Sequence, residues 1–232
     1  MRTPQILVAL DQTPWKDIES LAGSLAGIPV GMKVGMELFY AHGPRAIEFL
    51  SDRGFYVFLD LKLHDIPTTV GKALTNLLAF PAHLFNVHAA GGVEMLEASA
   101  QALAKSGRRD AQVIAVTQLT STSEAVMQSE LRIHGSLVDC VVAYAKLAHA
   151  AGLGGVVCSA QEAQLVKQAT AESFLCVTPG IRPAGVSAHD QKRTMTPRAA
   201  LENGADALVI GRAITQASDP RLAVEQILKE LP

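Results

Sequence analysis

The chain has 232 residues, 49 % of them hydrophobic and 18 % charged, with a formal net charge of −2. That supplies one large core. The lack of a basic excess and of a long apolar span points away from nucleic acid and membranes as partners.

Short apolar runs alternate with longer stretches of helical periodicity. The strand candidates, in order, are QILVALD (5–11), GMKVGM (31–36), YVFLDLK (56–62), HLFNVHA (83–89), QVIAVTQLT (112–120), GGVVCS (154–159), FLCVTPG (174–180) and ALVIGR (207–212). Between them, Ile18, Leu21, Ala22 and Leu25 make one apolar helical face, and Val138, Val141, Val142 and Ala145 make another. Gly54, Gly107 and Gly152 fall where helix C-terminal caps belong, and Pro67 suits a first helical turn. Eight strand–helix pairs predict an α/β fold, a single (β/α)8 TIM barrel spanning residues 1–232. An open doubly wound sheet is the alternative, but the glycine-rich dinucleotide fingerprint is missing after the first strand, where ALDQTPW stands. Two loops are long, 121–135 and 181–196. The first apolar run is short, ends in Asp11 and carries no cleavage pattern, so a cytoplasmic protein is expected. Cys140, Cys158 and Cys176 lack metal-ligand spacing and sit in apolar runs, as buried free thiols do.

The segment FLDLKLHDIPTTV (58–70) places charges in an apolar strand. Period-two alternation puts Asp60 and Lys62 on one face and Leu59, Leu61 and Leu63 on the other. In the second strand Lys33 stands between Gly31 and Gly35, opposite the face of Met32, Val34 and Met36, and the first strand ends in Asp11. Active sites of such barrels lie at the C-terminal ends of the strands. Three neighbouring strands would thus bring Asp11, Lys33, Asp60 and Lys62 to one rim, with Asp65 opening the next loop. One charge at a strand end is ordinarily a solvated terminus; four of alternating sign are better explained by chemistry, since buried ion pairs add little stability. Across the barrel, TPGIRP closes the seventh strand and VIGRAI the eighth, where barrels of this kind commonly hold a phosphate. Gly211 permits close backbone approach to an anion, Arg212 offers a two-pronged contact, and Arg182 and Gln191 are further candidates. Asn86 and His88 share a face of the fourth strand near the rim and read as a satisfied core pair ahead of any support for the site. His64 falls on the leucine face or just past the strand end, and Trp15 reads as packing.

These residues resemble the orotidine 5′-phosphate decarboxylase family over essentially the whole chain. DLKLHDIPTTV is similar to that family's Asp-x-Lys-x-x-Asp-Ile-Pro-x-Thr signature, and VALD, KVGMELF, TPGIRP and ALVIGRAI fit the same family in order and spacing. The resemblance implies decarboxylation of orotidine 5′-phosphate to UMP without metal or organic cofactor. It implies that Asp11 and Lys33 hold ribose hydroxyls, with Lys33 also paired to Asp60. Asp60 would lie beside the substrate carboxylate, and Lys62 would protonate C6. Asp65, Ile66 and Thr69 would enter a neighbouring subunit's site in a homodimer. Thr120 would face the pyrimidine, and Arg182, Gln191, Gly211 and Arg212 would grip the 5′-phosphate. TQLTSTSE departs from the loop expected after the fifth strand. The rivals are a metal-dependent sugar-phosphate lyase of the same suprafamily, in which strand two would offer a carboxylate in place of Lys33; a Schiff-base aldolase using Lys62; and a non-catalytic nucleotide-binding barrel.

Overall fold

The computed structural model describes residues 3–11, 14–183 and 194–232. Eight parallel strands close into a barrel in sequence order: β1 (Ile6–Leu10), β2 (Gly31–Gly35), β3 (Tyr56–Leu63), β4 (Leu84–His88), β5 (Gln112–Val116), β6 (Gly155–Val157), β7 (Leu175–Thr178) and β8 (Ala207–Ile210), with β8 pairing back onto β1. Strands covered on both faces must be apolar on both, and alternation then sorts their side chains into two cores. Val8, Met32, Val34, Leu59, Val87 and Ala115 point outward and pack with Ile18, Leu21, Leu25, Val70 and Val141 of the helices. Leu7, Phe58, Leu84, Ile114, Val177 and Val209 fill the barrel itself. That interior is tight: a Cβ on Gly31 would lie 2.6 Å from Leu7 Cδ2 and 3.0 Å from the Tyr56 carbonyl oxygen.

Helix ends follow local chemistry. Pro67 opens the helix Pro67–Leu77, where its missing N–H costs nothing. Gly107 closes the helix Gly92–Ser106 in the left-handed conformation at φ 70°. Arg108 then ties the turn beyond Pro67–Leu77, donating to the carbonyls of Leu78 (2.8 Å), Phe80 (2.9 Å) and Ala82 (2.8 Å). Asp110 holds that guanidinium through two bonds of 2.8 and 2.7 Å, and this contact pulls its own carboxyl down to about 2.

Except for β3, which runs one residue further, to Leu63, the strands end sooner than the sequence pattern predicts. Met36 is not the last residue of β2; it opens the helix Met36–His42 and is 43 % exposed, because Gly35 ends the ladder. β5 stops at Val116, so Gln118 and Thr120 stand in the loop above it, and Arg212 begins a short helix after β8. Loop 121–135 contains the helix Glu124–Ser129, capped by Ser123 Oγ. All three cysteines are buried thiols outside any disulfide. Trp15 packs edge-on against Phe49 and His42 beneath the Arg45 guanidinium. Among the described residues, no helix is long and apolar enough to cross a membrane.

Candidate active site

The inward-facing positions change character toward the C-terminal mouth. On β3, Tyr56 and Phe58 are followed by Asp60; on β4, Leu84 is followed by Asn86; β2 contributes Lys33 between glycines. The register sets Lys33 beside Ala9 and Phe58, and Gly35 beside Asp60, so Lys33 starts one inward layer below Asp60 and its long side chain reaches up to that carboxylate. A chain of ions results. Lys33 Nζ lies 3.6 Å from Asp11 Oδ1 and 3.1 Å from Asp60 Oδ2, and Lys62 Nζ lies 2.7 Å from Asp60 Oδ1. Exposure is graded along it: the Asp11 side chain is 60 % exposed, Lys33 10 %, Asp60 9 % and Lys62 25 %. Burial alone would raise the Asp60 carboxyl. The ammonium groups of Lys33 and Lys62, with hydrogen bonds from Lys62 and Asn86, outweigh that burial and hold it below the usual carboxylate value.

Lys62 is held in an unusual backbone state. Its φ is 53°, one of two positive values outside glycine among the described residues. The ladder between β3 and β4 explains how it is accommodated. Leu59 pairs with Phe85, but the next pair is Leu63 with Val87, so β3 carries extra chain between them. Despite this irregularity Leu59 and Leu61 stay buried against the helices, as alternation predicts. The side chain of Asn86, 2 % exposed, fills the break. Its Oδ1 accepts the Lys62 N–H at 2.8 Å, and its Nδ2 donates to Asp60 Oδ1 at 2.6 Å. Asn86 is therefore bound into the ionic cluster rather than paired with His88 in a core. His88 is partly buried, its ring 5.4 Å from that of His64, and burial pushes its imidazole below the ordinary value. Parity puts Asn86 on the correct face; its partners follow from the β3 irregularity, which no local residue announces.

Above this cluster opens a cavity of about 290 Å³. Asp11, Lys33, Asp60 and Lys62 line one part of it. Thr120, Arg182, Gly211 and Arg212 line it as well, together with Gln118, which sequence reasoning missed. Thr120 and Gln118 are buried, and Gln118 Nε2 reaches Cys140 Sγ at 3.5 Å. Arg182 is fixed at its backbone, where its N–H donates to the Met195 carbonyl at 3.0 Å. Three of the expected residues lie elsewhere. Asp65, Ile66 and Thr69 are exposed at the start of Pro67–Leu77 and do not line this cavity; Asp65 Oδ1 accepts the Ile66 N–H at 2.6 Å, and Ile66 is 65 % exposed. Gln191 lies outside the described residues. A wider hollow of about 1160 Å³ sits at the opposite end of the barrel, lined by residues such as Pro4, Val30, Tyr56, Arg109 and Asp206. Among the described residues its lining holds no lysine–aspartate chain, and position at the strands' C-terminal ends favours the smaller cavity as the site.

A closed parallel barrel carrying such a chain of ions at its C-terminal mouth, with two arginines lining the same cavity, defines a (β/α)8-barrel enzyme. Comparison with known proteins narrows the class. The chain belongs to the orotidine 5′-phosphate decarboxylase / HUMPS family, whose model matches residues 4–227. It is 52 % identical to the orotidine 5′-phosphate decarboxylase of Streptococcus pneumoniae serotype 19F (strain G54) over 99 % of this chain and 97 % of that protein. Among solved structures it is similar to an uncharacterized conserved protein from Geobacillus kaustophilus, with a TM-score of 0.86 and 44 % identity over 98 % of this chain and 100 % of the other. Orotidine 5′-phosphate decarboxylase from Lactobacillus acidophilus gives a TM-score of 0.86 and 38 % identity, covering 98 % of both chains.

Proposed function

We propose that this chain decarboxylates orotidine 5′-phosphate to UMP and CO2, with Lys62 as the proton donor. The relatives' names support the reaction. The observation that carries the residue assignment is the chain Asp11–Lys33–Asp60–Lys62, ending with the Lys62 ammonium on the cavity. Breaking the bond between C6 and the carboxylate leaves an electron pair in the ring plane, where no π-system receives it. A fixed ammonium beside that carbon stabilises the developing charge and transfers a proton from Nζ to C6 as CO2 departs. Asp60 aims Lys62 and lies near the departing carboxylate, Asp11 and Lys33 hold the ribose hydroxyls, and Thr120 faces the pyrimidine. Arg182, Arg212, the Gly211 N–H and Gln191 take the 5′-phosphate, whose remote binding energy orients the reacting bond. The active unit is a homodimer, to which each subunit lends Asp65, Ile66 and Thr69; their exposure beside, but not within, the chain's own cavity supports this.

The reaction so drawn uses no metal or organic cofactor. A metal-dependent sugar-phosphate lyase is disfavoured because Lys33, already between two carboxylates, puts a cation where a strand-two metal ligand is needed. The test is loss of orotidine 5′-phosphate absorbance on mixing with purified protein in excess EDTA. Full turnover is expected, and turnover restored only by magnesium would overturn the reading. Lys62→Ala lowers kcat by at least about 10⁴-fold while UMP still binds; near-normal kcat would remove Lys62 from the chemistry.

A further inference from the structure

We propose that Asn86 is a positioning residue for this reaction: its carboxamide clamps the backbone of Lys62 to the carboxylate of Asp60 and so fixes the donor amine. The proposal rests on the roles given above to Lys62 and Asp60. Three observations meet at this side chain. It is almost fully buried, and it takes the Lys62 N–H where the β3–β4 ladder is interrupted. It donates to the same Asp60 oxygen, Oδ1, that receives the Lys62 ammonium at 2.7 Å. The residue whose backbone it holds is a lysine at positive φ, a conformation that persists only where surrounding contacts impose it. A carboxamide accepts at one atom and donates from another, and it carries no charge at any pH. Leucine or alanine here would free the Lys62 backbone, and a carboxylate would face Asp60 as a like charge.

The charged and titratable groups around Asn86 are Lys33 from β2, Asp60 and Lys62 from β3, His64 beyond β3 and His88 on its own strand; β5 sets Ile114 beside it and carries no ionisable side chain. Asn86→Asp provides a readout that a purely structural role would not move. When protonated, the introduced carboxyl reproduces the native pattern: its O–H donates to Asp60 and its carbonyl oxygen accepts from Lys62. When ionised it cannot donate, and two carboxylates share one site, which one proton relieves.

The experiment measures kcat and KM against pH for wild type, Asn86→Ala, Asn86→Asp and the control Lys62→Ala, with melting temperatures for each. Wild-type turnover that vanishes in Lys62→Ala upholds the underlying reading; the opposite result overturns that reading and the role of Asn86 with it. With the reading upheld, Asn86→Ala should lose about 100-fold in kcat with KM within about threefold. The ratio of Asn86→Asp to wild-type kcat should rise by at least about tenfold between about pH 8 and about pH 5. Measuring the ratio in a background with His64→Gln and His88→Gln in both proteins keeps the imidazoles out of it, and the same rise is expected there. A ratio that stays flat, or an Asn86→Ala enzyme with native kcat, overturns the proposal. Should Asn86→Ala fail to fold, the pH dependence of Asn86→Asp decides alone.

Discussion

Asp60→Asn tests the electrostatics of the site without changing its shape. The substitution keeps the volume and an acceptor oxygen but removes the one negative charge between two ammoniums, at 3.1 Å from Lys33 and 2.7 Å from Lys62. At an effective dielectric near 20, each contact contributes roughly 5 kcal/mol of attraction before solvation is counted. Desolvating the Asp60 carboxylate costs several kcal/mol, which the variant no longer incurs, so the net loss falls to the range of a broken buried pair, about 3–5 kcal/mol. Lys62, a quarter exposed, can turn its amine toward water, which favours the lower figure. A loss of about 3 kcal/mol lowers the melting temperature of a domain this size by roughly 6–12 °C. Thermal unfolding followed by circular dichroism at neutral pH measures it. The pH dependence has a definite sign. Asp60 has a folded value below the unfolded one, so its contribution is complete above the unfolded value, near 4, and disappears as pH falls through the depressed folded value. The gap between wild type and variant should therefore close in strong acid. Adding Lys33→Met to Asp60→Asn removes a cation left with only Asp11, at 3.6 Å, and should recover part of the loss. A single variant melting within about 2 °C of wild type at neutral pH, or a gap that persists unchanged in strong acid, would refute the reasoning.

Arg108→Ala removes the donor to three carbonyls beyond Pro67–Leu77 and should cost about 2–3 kcal/mol, roughly 4–12 °C in melting temperature, while leaving kcat unchanged. A matching loss of kcat would mean that this turn communicates with the mouth. Arg212→Ala should reduce kcat/KM for the phosphorylated substrate by about 100-fold, the value of a charge-assisted contact, and barely affect a substrate lacking phosphate; equal losses would remove Arg212 from the phosphate. Mixing Lys62→Ala with Asp65→Ala subunits should regenerate one intact site per heterodimer, so that the mixture is active where neither parent is. Absence of recovery would confine Asp65 to its own subunit.

The barrel was legible because two simple periods alternate along the chain, and the inward parity of Lys33, Asp60 and Lys62 followed from the pleat alone. What periodicity missed lies at the rim. Met36, Thr120 and Arg212 continue apolar or strand-like runs in sequence, yet the ladder ends before each of them, since hydrogen bonding to a neighbour rather than local propensity stops a parallel strand. The left-handed backbone at Lys62 was invisible for a related reason. Positive φ is ordinarily signalled by glycine or asparagine, and here tertiary contacts impose it on a lysine. Asn86 escaped because its partners depend on that local distortion: a face can be read from one strand, but a hydrogen bond across a bulge cannot.

The order of charges along the mouth also explains how so polar a cluster survives over an apolar barrel. Asp11, Lys33, Asp60 and Lys62 sum to no net charge, and each inner ion stands between two of opposite sign, Lys33 between Asp11 and Asp60, Asp60 between Lys33 and Lys62. The ends of the chain are the more exposed members, so desolvation falls hardest where pairing is double. Beneath them Leu7, Phe58, Leu84 and Ile114 exclude water and raise the strength of every interaction above. All four ions line the cavity, and Lys62 forms the cationic end of the chain, paired within it to Asp60 alone. Holding it there in a left-handed backbone costs about 1–3 kcal/mol, a cost incurred during folding rather than at the moment of reaction. In the proposed reaction an ammonium fixed in this way would need no rearrangement when charge develops beside it, which is what electrostatic preorganisation requires.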